Sequence, residues 1–264
     1  MFLELDGSPS VDSLKDTIQK LELEGAPCRV SLSPHLYNLL LVEAPKVPDE
    51  ELAEATRWKV KDLLPYPLEE ALIDVFPLPE DSSKGRNMVY AVSVREEEVR
   101  RIMELVASLG LELLSIDICE LSLRNIVEQG AQDERGACVV HLRQNRGLLT
   151  LMKGGSVYLS RQFDIAYNAG LFDELPEEQL ILELQRSLDY YERQMGQVPP
   201  AAILVGGENV SADKLTDGLK SAFNADVLPM TLESVRGAEA IDEAVLQLAL
   251  PAVGAVLRNS TGAQ

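Results

Sequence analysis

The stretch that most constrains this chain is residues 136–207, which strings three short strand-like runs, one long helical pattern and a further apolar run onto a Gly-Gly pair. The runs at 137–142, 147–152 and 156–165 carry β-branched residues. They are separated by the turn-forming Gln144-Asn145-Arg146-Gly147 and Lys153-Gly154-Gly155-Ser156, which predicts a meander of hairpins. Pro176 then opens a helix that runs to Met195. Its Leu180, Leu184, Leu188, Tyr191 and Met195 fall three or four residues apart on one stripe, and Gly196 stands just past the end. Ala201-Ala202-Ile203-Leu204-Val205 is too short for a helix and reads as a buried strand ending in Gly206-Gly207. Two glycines there bring bare backbone close to a ligand or a neighbouring helix.

Upstream, residues 2–5 read as the end of a strand, and Ser10 caps a helix whose Val11, Leu14, Ile18 and Leu21 share a face before Gly25 stops it. Strands at 28–32 and 37–43, turning at Ser33-Pro34, are expected to join this helix in a small α/β unit whose first strands are missing. After Pro45 and Pro48, residues 49–64 form a helix with Leu52, Ala55, Val60 and Leu63 on its apolar face. Trp58 lies at the edge of that face and reads as a core residue, and Pro65-Tyr66-Pro67 is a hard stop. Strands at 72–76 and 88–94 follow, and Ser93 and Glu96 have capping-box spacing for a helix carrying Val99, Ile102, Met103, Val106 and Leu109. Residues 113–118 close this inserted module as a strand, and the polar loop 80–86 is its exposed tip. Beyond Gly207, Ser211 is expected to cap a helix with Leu215, Leu219 and Phe223. A short strand spans 226–229, residues 233–242 form an acidic loop or helix start, and a small-residue helix at 244–258 is interrupted at Pro251 and Gly254.

The formal net charge of −19 argues against nucleic acid and against direct docking on anionic lipid, both of which require clustered Lys and Arg. Three widely spaced cysteines, Cys28, Cys119 and Cys138, supply neither a disulfide framework nor a zinc motif and suit a reducing cytosol. His35 and His141 have no carboxylate or cysteine motif nearby, so neither a metal site nor a His-based catalyst is expected.

Several motifs resemble the MshI/PilM family of actin-like proteins that help assemble type IV pili. They are Asp49-Glu50-Glu51-Leu52, Trp58-Lys59-Val60, Leu64-Pro65-Tyr66-Pro67-Leu68, residues 111–117, and Val205-Gly206-Gly207. The most specific is Leu182-Glu183-Leu184-Gln185-Arg186-Ser187-Leu188-Asp189-Tyr190-Tyr191, which is similar to the MshI branch of the mannose-sensitive haemagglutinin (MSHA) pilus. The resemblance implies an α/β, actin-like (ASKHA, RNase H-like) two-lobed fold with an inserted SHS2-like α+β module and truncated N-terminal strands. The first lobe would take residues 1–46 and 117–135, the module 47–116 and the second lobe 136–264. It also implies a cytoplasmic chain, peripheral to the inner membrane, that docks the cytosolic N-terminal tail of a PilN/MshJ-like inner-membrane protein and in addition the assembly ATPase.

ATP-binding members of the resembling family carry two Asp-x-Gly phosphate loops. Here the first is absent and the second falls at His141-Leu142-Arg143, which lacks the oxygen ligands Mg prefers and the bare amides that cradle phosphate. No catalytic residue and no metal are therefore expected. Glu183, Arg186, Gly206 and Gly207 resemble the positions that hold the nucleoside, and they are the candidate site for residual ATP binding. Without a nucleotide, Gly206-Gly207 reads as a close-packing turn and Glu183 with Arg186 as a helical ion pair. Two other roles stay open: an ATP-binding actin-like protein whose phosphate loop precedes this sequence, and a cytosolic adaptor of type II secretion.

Overall fold

The structure is a computed structural model, and it describes residues 10–83, 85–130, 134–233, 235 and 242–258. The expected strand at 2–5 and most of the acidic segment 233–242 lie outside the described residues. The chain divides into two compact units, one of Met1–Pro77 with Met88–Cys119 and one of Leu78–Asn87 with Glu120–Ala263.

In the first unit, α1 (Val11–Lys20) is capped by Ser10, whose hydroxyl accepts from the Ser13 amide at 3.1 Å. Strand β1 (Pro27–Leu32) pairs in parallel with β5 (Glu112–Ile118). Strands β2 (Tyr37–Glu43), β3 (Ala71–Pro77) and β4 (Met88–Arg95) form a separate antiparallel sheet in the order β2-β4-β3. Strand β2 therefore does not join β1, as the turn at Ser33-Pro34 suggested. It pairs along its whole length with β4, from Tyr37 opposite Val94 to Glu43 opposite Met88. As the central strand, β4 buries every residue from Val89 to Val94, so it reads as a continuous apolar run rather than an alternation. Ser93 lies inside that strand and is not a helix cap. Its hydroxyl is 2.7 Å from the Tyr66 hydroxyl, and α3 (Glu96–Ser108) starts after Arg95 with no side-chain cap.

Helix α2 (Asp49–Val60), continued by a 3-10 turn to Leu63, stops at Leu64 as Pro65 requires. It packs on β3, β2 and β4 and buries Thr56 and Val60. Trp58 is 65% exposed and Leu63 55% exposed, so neither belongs to the core. The buried positions repeat every four residues along the inner face, and Trp58 falls between Thr56 and Val60 on the outside of the turn.

The second unit is built on a five-stranded sheet in the order β10-β9-β6-β7-β8. Strands β6 (Ala137–Arg143), β7 (Arg146–Lys153) and β8 (Ser156–Asp164) form the expected meander. Strands β9 (Ala202–Gly207) and β10 (Asp226–Pro229) extend it in parallel with β6. Helix α5 (Glu177–Arg193) ends two residues before the expected Met195 and lays its stripe on the sheet, with Leu180, Leu184, Leu188 and Tyr191 buried, Met195 buried just past its end, and Tyr191 edge-on to Tyr158 of β8 at 5.8 Å.

Helices α4 (Cys119–Val127) and α7 (Glu243–Val256) meet where Gly254 passes Ser122. A Cβ on Gly254 would lie 2.0 Å from the Ser122 carbonyl oxygen, and Asn125 Nδ2 donates to the Gly254 carbonyl at 2.9 Å. Helix α7 runs unbroken through Pro251. Ser211 precedes only a 3-10 turn, and the short helix α6 (Asp217–Ser221) is capped instead by Thr216, which accepts from the Leu219 amide at 3.1 Å.

The loop expected as an exposed tip belongs to this second unit. Asp81 accepts from the Tyr158 hydroxyl at 2.9 Å and lies 3.5 Å from Lys153 Nζ. Its carbonyl accepts from Gln197 Nε2 at 2.8 Å, and Leu78 and Ser82 are buried.

Candidate functional site

The candidate residues sit at one end of the second unit's sheet, where β6 and β9 finish and α5 begins. Strand register determines which face each residue looks to, because paired residues share a face. Gly206, His141, Leu148 and Gln162 are paired across β9, β6, β7 and β8 and face α7. The neighbouring row, Val205, Val140, Leu149 and Arg161, faces α5.

Gly206-Gly207 is filled by the chain itself. A Cβ on Gly206 would lie 2.9 Å from Gln247 Oε1, Leu250 Cδ1 and Met230 Cβ. Gly207, at φ +127°, would bring a Cβ to 2.0 Å from the Leu142 carbonyl oxygen, so only glycine fits. The Gly207 amide donates to Gln247 Oε1 at 2.9 Å, and Gln247 Nε2 donates to the Met230 carbonyl at 2.7 Å. Gln247 is 3% exposed, so a glutamine of α7 takes up the strand-end amide.

Glu183 and Arg186 do come together. Arg186 donates to Glu183 Oε1 at 3.0 Å, and Arg161 of β8 donates to Glu183 Oε2 at 3.3 Å and to Ser187 Oγ at 3.0 Å. This cluster is on the α5 face at β8, three strand spacings or roughly 14 Å from β9. Gly206 is on the opposite face. In the row that Gly207 shares with Leu142, Gly147 and Phe163, the Phe163 ring lies across Gly147, whose Cβ would be 2.2 Å from Cζ. The two halves of the candidate site are thus not assembled around one space.

His141 is 4% exposed, and its pKa is lowered to about 4, first by burial and then by the charge of Arg143. It is therefore a neutral imidazole at neutral pH. Among the described residues, no group of three or more His, Cys, Asp or Glu could hold a metal ion.

The loop after Gly207 is tied down as well. Tyr167, 1% exposed, places its hydroxyl 2.8 Å from the Glu208 carbonyl and 3.0 Å from that of Asn209, while Asn209 Nδ2 donates to the Ala169 carbonyl at 2.7 Å. Burial, followed by Asp173 and Glu208, pushes the Tyr167 phenol up to about 12, so it stays a donor. Sequence reasoning missed Gln247, Tyr167 and Phe163. The one signal for Gln247 was its polarity inside an apolar helix, since a polar residue there must find partners.

No protein-family model matches this chain. No curated protein matches it either. Solved structures do. A structure titled as the PilM-PilN type IV pilus biogenesis complex aligns at TM-score 0.69 and 18% identity over 94% of this chain and 82% of that one. The cytoplasmic domain of EpsL, an inner-membrane component of the type II secretion system of Vibrio cholerae, aligns at TM-score 0.54 and 14% identity over 95% of this chain and 82% of that one. A Bacteroides thetaiotaomicron protein of unknown function with an actin-like ATPase fold aligns at TM-score 0.50 and 12% identity over 90% of this chain and 84% of that one. The chain has the actin-like ATPase fold. No helix among the described residues is long and apolar enough to cross a membrane.

Proposed function

We propose that this chain is a non-catalytic scaffold of type IV pilus biogenesis, of the MSHA branch. In this reading it works at the cytoplasmic face of the inner membrane and docks the cytosolic N-terminal tail of a PilN/MshJ-like assembly protein. The observation that carries the reading is the closure of the strand ends by Gln247, Tyr167 and Phe163, in a chain matched over 94% of its length by the PilM-PilN structure. These residues do not fit Mg-ATP. The Gly207 amide is taken, a neutral buried His141 supplies no anionic oxygen, and Glu183 is held by two arginines. The MSHA assignment rests on the helix motif from Leu182 to Tyr191. A net charge of −19 suits a partner tail rich in Lys and Arg, as cytosolic juxtamembrane segments are under the positive-inside bias.

We place the docking surface on the first unit, around the exposed Trp58 and Leu63. As the only tryptophan of the chain, Trp58 is a built-in reporter. Titrating a synthetic peptide of the partner's N-terminal tail should blue-shift its emission as the indole leaves water, whereas Mg-ATP followed by calorimetry should bind no tighter than about 1 mM. An unmoved emission maximum at saturating peptide would remove Trp58 from the interface, micromolar ATP binding would overturn the closure of the strand ends, and phosphate release from ATP above a mock-purified control would end the non-catalytic reading. A cytosolic adaptor of type II secretion is the second reading, favoured by the likeness to the EpsL cytoplasmic domain. Exchanging the pilus tail peptide for one from the secretion system separates the two.

A further inference from the structure

Helix α2 turns an aromatic ring to water on the face opposite its buried Thr56 and Val60. That ring is Trp58, 65% exposed. Among the described residues, no cation and no second ring lies against its indole. The cations on either side of it in the sequence are committed elsewhere. Arg57 donates to the Leu68 and Ala71 carbonyls, and Lys59 Nζ donates to the Glu43 carbonyl at 2.9 Å. These bonds fasten the helix beneath the ring, so the indole loses little freedom on contact.

The same outer face is acidic. Glu54 lies one turn before Trp58, Glu51 about two turns before it, and Asp62 four residues after it, and all three are exposed. None of the three is in an ion pair among the described residues, and Lys61 is the one uncommitted cation beside them. The first unit also shows what a ring beside a carboxylate accepts. The guanidinium of Arg95 lies 4.3 Å from the centroid of the Tyr66 ring and pairs with the Glu70 carboxylate, so one arginine satisfies an aromatic face and an anion together. Trp58 with Glu54 and Asp62 repeats the ring and the anions on a surface to which the described residues bring no arginine of their own.

We propose that Trp58, Glu54 and Asp62 form a receptor for an arginine side chain of the docking partner. The guanidinium lies flat on the indole and donates to the carboxylates, and an apolar neighbour of that arginine covers the exposed Leu63. This rests on the reading that the partner's tail docks on the first unit, and it names the side chain that is read there. Lysine fits less well, because an ammonium is a strongly hydrated point charge with no flat face to lay on a ring. The three carboxylates turn the same surface away from anionic lipid.

The single tryptophan gives the full chain one indole N–H resonance in a proton-nitrogen correlation spectrum, and titrations read from it test the receptor. The blocked dipeptide Arg-Leu should move that resonance. Citrulline-Leu, which keeps the planar group without the charge, should bind about tenfold more weakly, with Lys-Leu between the two. The double variant Glu54→Gln, Asp62→Asn changes only exposed side chains and should weaken Arg-Leu about tenfold while leaving citrulline-Leu unchanged. Equal binding of Arg-Leu and citrulline-Leu would overturn the proposal, as would an unchanged Arg-Leu affinity in the double variant or a resonance unmoved at about 10 mM Arg-Leu. A resonance that moves with protein concentration alone would overturn it too and hand the face to a second copy. The partner's tail peptide separates this inference from the reading beneath it. A tail peptide that shifts the indole equally well with its arginines changed to citrulline keeps the docking surface and overturns the arginine receptor. A tail peptide that leaves the indole unmoved while Arg-Leu binds supports the receptor and removes that tail as its occupant.

Discussion

Helix α5 lies against a five-stranded sheet and buries Leu180, Leu184, Leu188 and Tyr191, whereas α2 lies against a three-stranded sheet and buries only Thr56 and Val60. The wider sheet can cover a full apolar stripe, so α5 is held by hydrophobic burial, worth roughly 1.5 to 3 kcal/mol for each fully buried leucine. The narrower sheet cannot, and α2 is held in part by polar reach. Arg57 donates to the Leu68 carbonyl at 2.8 Å and to the Ala71 carbonyl at 3.1 Å, fastening the helix to the start of β3. A helix anchored in this way leaves Trp58 and Leu63 on its outer surface, free for a partner.

Substitutions can break that contrast, beginning with the largest effect. Leu184→Ala should cost about 2 to 5 kcal/mol in urea unfolding, because α5 depends on apolar volume at a fully buried site. A loss below about 1 kcal/mol would mean that α5 is not the packed helix described. Arg57→Met keeps the stem and removes both hydrogen bonds, and should cost about 2 kcal/mol. No change there would show that α2 rests on its few apolar contacts alone. Thr56→Val should raise stability by about 1 kcal/mol, since the buried Thr56 hydroxyl has no hydrogen-bond partner and valine fills the same volume. Trp58→Ser should leave the unfolding free energy within about 0.5 kcal/mol of wild type yet abolish binding of the tail peptide. If stability fell while binding survived, Trp58 would be a core residue after all.

The same contrast explains what could be read from the sequence. The meander, α5 and β9 are legible because their neighbours are close in sequence or their periodicity is backed by a wide apolar surface. Capping-box spacing misleads at Ser93 because it is a local pattern, while the partner of its hydroxyl, Tyr66, is 27 residues away and lies outside any local window. Strand β2 departs from the expected unit with β1 for a related reason. Alternation predicts a strand but not its partner, and Tyr37 pairs with Val94 rather than with the adjacent β1. The candidate site was legible as residue types but not as an arrangement. Glycines that could admit a ligand and glycines that admit a glutamine look alike until Gln247 is seen to take the Gly207 amide.

The docking of Leu78–Asn87 on the second unit also sets an order of events at the ribosome. Asp81 is synthesised 77 residues before its partner Tyr158, a delay of about 4 to 15 s at synthesis rates of roughly 5 to 20 residues per second. Strand β1 likewise waits for β5, since Pro27 pairs with Glu112. During that interval the three-stranded sheet can already close, because β2, β3 and β4 have all emerged, while Leu78 and Ser82, buried in the finished protein, remain open to water and to any chaperone within reach. The β3–β4 connection is thus a segment of the nascent chain that stays uncovered after the strands on either side of it have paired.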